Sequence, residues 1–507
     1  MTSSPEALRA LARPPALTPS VISGHEVFEG AHRLTVIDPA TGRQISELAE
    51  ACAATVDQAV QAAAKAFETG PWPRLPVEAR QDVLRRISAL IERDAARLAS
   101  LECLNTGIPR AHLIRGQIAR SALNFRFFAD YIGQTQGDLY TQNQDYLTFV
   151  RRDAVGVCAL LGPWNAPLAL ISMKIAAAIA FGNTCVVKAS EQTPLTAHAL
   201  MAILTEAGVP EGVVNLVNGR GHITGAALAA HPRIDRLSFT GGTETGRAIM
   251  RATGANLTPV TMELGGKSAS LIFESADLER ALDGALLGIF SNNGQQCLAG
   301  SRILVQDTIA NEFIEAFVER TRRIRVGDPF DPATEIGALG SVAHRDRVLT
   351  YVGTARAQGG ELLAGGHAIE ALAPGAFMSP TVVRARSNAD RICREEIFGP
   401  FAALQTFRTP HEAFALANDS VFGLVSYIWS NDLRVAMAGQ EALRSGLIWL
   451  NTPMVRELRA PFGGFRESGV GREGGKACEA FYTEEKTVTI PVRDAAMNKL
   501  GSDRSHL

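Results

Sequence analysis

Cys297 lies in the run Gly294-Gln295-Gln296-Cys297-Leu298-Ala299-Gly300-Ser301-Arg302, after a long apolar helical segment and before the strand-like Ile303-Leu304-Val305. Cysteine is the least weak of the side-chain nucleophiles near neutral pH, provided something lowers its pKa or takes its proton. A loop cysteine alone is more often an inert packed residue. Glu263, upstream in Glu263-Leu264-Gly265-Gly266-Lys267-Ser268, changes the reading, because so glycine-rich a turn does more than pack. A thiol and a carboxylate base on two such turns make a pair suited to covalent catalysis.

Four further runs could serve that pair, and each has a plain structural alternative. Gly162-Pro163-Trp164-Asn165-Ala166-Pro167 holds Asn165 between prolines, where its amide can donate to an oxyanion or simply shape a turn. Val186-Val187-Lys188-Ala189-Ser190-Glu191 sits at a strand end, where ligands of open α/β sheets bind. Lys188 and Glu191 either bracket a ribose or form an ion pair at a helix start. As a ribose ligand Glu191 would repel a 2′-phosphate and favour NAD over NADP. Leu237–Thr240 followed by Gly241-Gly242-Thr243-Glu244-Thr245-Gly246 reads as a strand, a glycine turn and a helix start that can face a phosphate. Its spacing is GxxxxG, a weak dinucleotide signal that a tight turn also explains. Glu395-Glu396-Ile397-Phe398-Gly399-Pro400 offers another loop carboxylate, or a helix-terminal acidic pair.

These residues need a scaffold, and the chain's 507 residues suffice for two or three domains. The pattern is helical from Ala54 to Ser100, then alternates. Strands are expected at Val155–Leu161, Thr184–Lys188, Val213–Val217 and Leu237–Thr240. Helices fall between and after them at Leu168–Phe181, Pro194–Glu206, Gly225–Ala230 and Glu244–Ala252. A second alternating region runs from Ala269 to about Leu450, with strands at Ser270–Phe273, Ile303–Val305, Thr381–Val383 and Ala403–Phe407. Such alternation implies βαβ units and largely parallel sheets. A boundary is placed near Glu263. Asp145–Arg152 and Lys486–Val492 alternate apolar and polar residues, as a half-solvated ribbon does, and such an arm invites pairing with another subunit. Met1–Ser20 reads as a loose tail without a signal-peptide core.

Composition narrows the partners. A net charge of −2 gives no electrostatic footprint for nucleic acid or an acidic membrane. The one long apolar run, Ile171–Phe181, is interrupted by Lys174 and too short to span a bilayer. Seven scattered cysteines without a CxxC point to a reduced, cytoplasmic protein, and the ten histidines show no metal-ligand spacing, so no metal is expected.

Taken in order, the motifs resemble those of the aldehyde dehydrogenase superfamily: PWN at 163–165, KxxE at 188–191, FTGxTxxG at 239–246, ELGGKS at 263–268, GQxCxAxSR at 294–302, EEIFGP at 395–400 and PFGGxxxSGxGREGG at 461–475. The resemblance covers about Leu34 to Val492. It implies a Rossmann-like NAD-binding domain (residues 21–137 and 154–263), an α/β catalytic domain (264–477) and a small β oligomerisation arm (138–153 and 478–507), after a tail at 1–20. It implies NAD as cofactor, a homodimer or homotetramer, and no nucleic-acid or membrane partner. By resemblance Cys297 attacks the aldehyde, Asn165 and the Cys297 N–H hold the oxyanion, and Glu263 activates the hydrolytic water. Lys174 and Glu473 look like the family's proton-relay pair. Lys188, Glu191 and Glu396 would hold the riboses, Gly241, Gly242, Thr243 and Gly246 would border the pyrophosphate, and Trp164, Leu264 and Phe398 would pack near the cofactor. Gly242 departs from the serine many members carry, which puts one pyrophosphate hydrogen bond in doubt. A helix start beside Cys297 is expected to favour the thiolate, and burial to raise Glu263.

For the substrate, the Arg120 helix (Asn124-Phe125-Arg126-Phe127-Phe128 included) and the Arg456, Arg459 loop look like the branch that oxidises hydroxymuconic, 5-carboxymethyl-2-hydroxymuconic and 2-aminomuconic semialdehydes. There the arginines would clamp a distal carboxylate, a task that suits guanidinium. The alternative is a structural ion pair, such as Arg456 with Glu457. Two other readings stand beside this one: a broad aliphatic or aromatic aldehyde dehydrogenase, and a catalytically silent NAD-binding protein. A CoA-acylating enzyme is disfavoured, since such members generally lack the base at the Glu263 position.

Overall fold

The computed structural model describes residues 4–28, 32–494, 497, 500 and 501. Two large sheets organise the chain. In the first, the strands Val157–Leu161, Thr184–Lys188, Val214–Leu216, Arg236–Thr240 and Val260–Glu263 run parallel, as βαβ units require. Antiparallel strands flank them: Gly469–Val470 beyond Val260–Glu263, and the Ser20–Ile22, His25–Val27 hairpin beyond Val214–Leu216. The second sheet has seven strands, parallel except for Glu361–Ala364 at one edge. Chain direction passes from the first sheet to the second across 264–268, just after Glu263.

The strands read from the sequence recur within a residue or two, but Val425–Trp429 escaped that reading. It pairs with Ala269–Ile272 inside the second sheet and is wholly buried. The chain around it lacks the alternation that flags a half-exposed strand. The long helical stretch from Ala54 breaks at Pro71-Trp72-Pro73 into separate helices, Ala53–Glu68, Val77–Arg93 and Ala95–Thr106.

Pro167–Ala180 is the central helix. Proline at its first position costs no intrahelical hydrogen bond, and every residue along it but Leu170 is buried, the pattern of a helix packed on nearly all sides. It lies against Ala119–Ile132, which carries Arg120. Tyr146–Ala154 pairs antiparallel with Thr483–Pro491 over nine residues, and Leu139–Tyr140 adds a third strand. This is the expected two-stranded ribbon, enlarged by one strand.

The expectation of a loose tail needs correction. Residues 4–20 are built in: Pro5–Ala10 is helical, capped by Ser4, and Leu17–Thr18 pairs with Glu47 and Leu48. Arg9 bonds Asp38 at 2.9 Å and Asp328 at 3.0 Å, and lies over the Phe330 ring. These partners sit far away in sequence, so local composition could not reveal them. Residues 1–3 of the tail and parts of the 478–507 arm lie outside the described residues.

Candidate active site

The glycine turns act by letting backbones touch. Gly266 passes so close to the Cys297 carbonyl that a Cβ there would lie 2.4 Å from its oxygen. Gly294, at φ +71°, presses on the Gly399–Pro400 peptide, where a Cβ would come within 2.4 Å of backbone atoms. The nucleophile loop is thus clasped between the ELGGKS turn and the EEIFGP turn. Arg302, fully buried, binds Lys267, Leu416 and Ala417 carbonyls and ties these segments together.

Glu263 is buried, and neither carboxylate oxygen has a hydrogen-bond partner among the described residues. Burial, and then the charge of Glu473, push its pKa well above the ordinary carboxylate value. Cys297 departs from the expected electropositive setting. It sits on a turn after the Ser291–Gly294 helical turn, and no helix starts at it. Burial, with Glu396 and Glu263 adding to it, pushes the thiol up to about 12, so the resting side chain is a neutral thiol and needs a base to ionise.

Asn165 donates its amide to the Gln295 carbonyl at 2.8 Å, while its own carbonyl accepts from Asn292 at 3.0 Å. The oxyanion candidate is therefore wired directly to the nucleophile loop. Lys174 Nζ lies 2.6 Å from Glu473 and 2.8 Å from Ser238 Oγ. Burial pushes Glu473 upward, but the Lys174 ammonium prevails and holds it below its usual value.

The dinucleotide candidates gather at strand ends. Lys188 pairs with Glu191 at 3.0 Å. The Thr243–Gly254 helix begins at Gly242 with no side-chain cap, and the space beside Gly242 is open. Free N–H groups at an unobstructed helix start fit a pyrophosphate. Glu396 accepts the Gly266 N–H at 3.0 Å, and burial raises it to about 7. Trp164 and Phe398 meet edge to face at 5.3 Å, with His344 against both rings. Phe398 holds φ +61°, a strained value for an aromatic residue, and its carbonyl accepts from His344 at 2.7 Å. The residues present therefore fit a nicotinamide dinucleotide, and sequence reading missed His344, Asn292 and Gln117 because each acts only through distant partners. Among the described residues there is no cluster of three or more metal-ligating side chains, and all seven cysteines are free.

The arginines divide. Arg120 donates to Asn124 at 2.7 Å, and burial together with the charge of Arg456 lowers it to about 10. Arg456 stacks 3.6 Å over the Phe462 ring, and its buried Nε has no partner among the described residues. Arg459 is exposed and bound by Glu457 through both guanidinium and backbone, so the geometry does not bring it to this pair. The ion pair suggested for Arg456 is made by Arg459 instead.

The chain matches the aldehyde dehydrogenase family over residues 28–488. It is 43% identical over 459 residues to 5-carboxymethyl-2-hydroxymuconate semialdehyde dehydrogenase of Escherichia coli, covering 90% of this chain and 97% of that one. Retinal dehydrogenase 2 of Homo sapiens is 41% identical over 466 residues, with 92% and 90% covered. The solved structure of AldA, an indole-3-acetaldehyde dehydrogenase of P. syringae in complex with NAD+ and IAA, superposes with a TM-score of 0.94 at 35% identity, covering 97% and 100%. This chain belongs to the aldehyde dehydrogenase family and is an oxidoreductase.

Proposed function

We propose that the protein oxidises a semialdehyde bearing a distal carboxylate to the dicarboxylic acid, with NAD as cofactor. The observation that carries the substrate class is the Arg120–Arg456 pair. Burial, and then the charge of Arg456, lower the affinity of Arg120 for its proton; burial does the same to Arg456, and no carboxylate of the chain reaches either guanidinium within salt-bridge distance among the described residues. Two guanidinium groups near Glu473, yet bonded to no carboxylate among the described residues, suit an anionic ligand. The E. coli relative supports this reading by its substrate; the retinal dehydrogenases, equally similar, act on an aldehyde named without a carboxylate.

In this mechanism the Cys297 thiol loses its proton to water and its Sγ adds to the aldehyde carbonyl. Asn165 and the Cys297 N–H donate to the oxyanion. NAD, when bound, would accept the hydride that the Cys297-linked thiohemiacetal loses in becoming a thioester; Lys188, Glu191 and Glu396 would hold its riboses, and the Gly242–Gly246 turn its pyrophosphate. Glu263 then takes a proton from the water that cleaves the thioester, and the Lys174–Glu473 pair passes that proton onward. The exposed apolar residues of the ribbon, Leu139, Tyr140 and Ile490, support a homo-oligomer, and seven free thiols suit a cytoplasmic setting.

The test is NADH formation with hexanal, benzaldehyde and a panel of carboxylated semialdehydes. Arg120→Ala is expected to raise KM at least tenfold for the carboxylated substrates and much less for the uncharged ones. An equal rise for all would discard the clamp and favour a broad aldehyde dehydrogenase.

A further inference from the structure

The turn just before Cys297 runs through backbone that side chains rarely adopt. Asn292, Asn293 and Gly294 hold φ +55°, +57° and +71°, three left-handed residues in succession. Glycine takes this conformation freely and asparagine better than most residues, yet each asparagine still carries strain. Such a turn persists only where its surroundings hold it. Asn293, fully buried, donates to the Gly107 and Ala338 carbonyls at 3.1 and 2.8 Å and accepts the Gly337 N–H at 2.9 Å. Those bonds anchor the turn to segments outside the site. Asn292 is bound differently, and the mechanism above gives it no part.

Asn292 Nδ2 donates to the backbone carbonyls of Asn165 and Gln295, both at 3.0 Å, and its own backbone carbonyl accepts the Gln295 N–H at 3.0 Å. Carbonyls only accept, so this amide lies one way, with Oδ1 toward Gln117, whose Nε2 donates to it at 2.6 Å. The Asn165 side chain hangs on the same Gln295 carbonyl, to which its Nδ2 donates at 2.8 Å. One hydrogen of that Nδ2 is thus spent, and the other has no acceptor among the described residues. Asn292 therefore holds the backbone of Asn165 and also the carbonyl that orients its amide. We infer that Asn292 is a positioning residue for the oxyanion site, fixing the Asn165 amide so that one N–H stays on Gln295 and the other stays free. The inference rests on the reading of Asn165 as oxyanion donor and places Asn292 behind it, acting through Asn165 alone. An oxyanion site works because its donors are held in place before charge develops, so a donor free to swing is worth less although still present.

The experiment is a double-substitution cycle, read as kcat/KM for NADH formation from whichever aldehyde of the panel above turns over fastest. Variants are compared on that one substrate, so the outcome does not depend on the arginine pair. Asn292→Gly keeps the left-handed backbone and removes the amide; it is expected to lower kcat/KM at least tenfold. Asn292→Asp keeps the shape and the acceptor toward Gln117 but has no hydrogen to donate, and should lose at least as much. Asn165→Ala should cost about 10² to 10³, the usual worth of an oxyanion donor. In the Asn165→Ala background, Asn292→Gly should then cost less than threefold, because no amide is left to place. A loss of threefold or more in that background would overturn the inference, as would wild-type values for either single Asn292 variant. Alkylation of Cys297 by iodoacetamide develops no oxyanion, so Asn292→Gly should leave its rate within twofold of wild type. A tenfold fall in alkylation would trace the loss to a displaced thiol and count against the inference. Wild-type kcat/KM in Asn165→Ala would instead discard the oxyanion reading itself, so the two failures are told apart.

Discussion

Burial raises the Cys297 thiol to about 12 and so keeps it protonated, and it raises Glu263, whose oxygens have no hydrogen-bond partner among the described residues, well above the ordinary carboxylate value. A thiol in that state ionises only as a proton is removed from it, so its reactivity must follow pH. Alkylation of Cys297 by iodoacetamide in the absence of cofactor should climb about tenfold per pH unit from 7 to 10, since the thiolate fraction does so below the pKa; a plateau below pH 9 would contradict the burial argument. Glu263 is assigned to the hydrolytic step, and a general base is worth about 10² to 10⁴ in rate. Glu263→Gln should therefore slow steady-state turnover by about that factor while rapid-quench measurements still detect acyl-enzyme. Unimpaired steady-state rates would remove Glu263 from the mechanism.

At the scale of elements, Glu102 shows how helices are set around the site. It lies wholly buried on Ala95–Thr106, accepts the Thr196 hydroxyl at 2.7 Å, and accepts the Leu168 N–H at 3.3 Å in the first turn of the helix that follows Asn165. Burial raises its pKa from 4.5 to about 7 despite those bonds. The folded state then holds a proton that the unfolded chain releases near pH 4.5, so stability falls as pH rises from 4.5 to 7 and is level beyond. The shift corresponds to ~3 kcal/mol, by the rule of 1.36 kcal/mol per unit. Glu102→Gln removes the titration, and its melting temperature should gain on wild type between pH 5 and 7.5; a difference independent of pH would refute this assignment. The elements themselves were largely legible, because alternating strands and helices are written in local apolar periodicity. Val425–Trp429 was not, and neither was the helical tail at Pro5–Ala10, whose anchors Asp38, Asp328 and Phe330 lie far along the chain.

For the whole molecule, the ribbon is the feature a single chain leaves unfinished. Its outer strands, Thr483–Pro491 and Leu139–Tyr140, are open edges, with Leu139, Ile490 and Val492 exposed beside them. Open edges that carry exposed apolar side chains often pair with another chain. We expect wild type to sediment as a dimer or tetramer, and Leu139→Asp with Ile490→Asp to reduce the particle mass by about half. A monomeric wild type, or an unaltered mass in the double variant, would rule out the ribbon as an assembly surface. Among the described residues no helix is long and apolar enough to cross a membrane.

The sequence by itself determined the family, the two alternating α/β regions and the candidates for nucleophile and base. Each is encoded in residue types at fixed short spacing, which a turn or a helix period imposes locally. Only the tertiary structure decided which side chains meet across the chain. It showed that Arg456 stacks on Phe462 while Arg459 takes Glu457, that Cys297 lies half-buried with the carboxylates of Glu396 and Glu263 near it, and that Asn292 joins Asn165 to Gln117. Such pairings depend on distance in space and on the loss of water around each group, and neither quantity is written in the order of the residues.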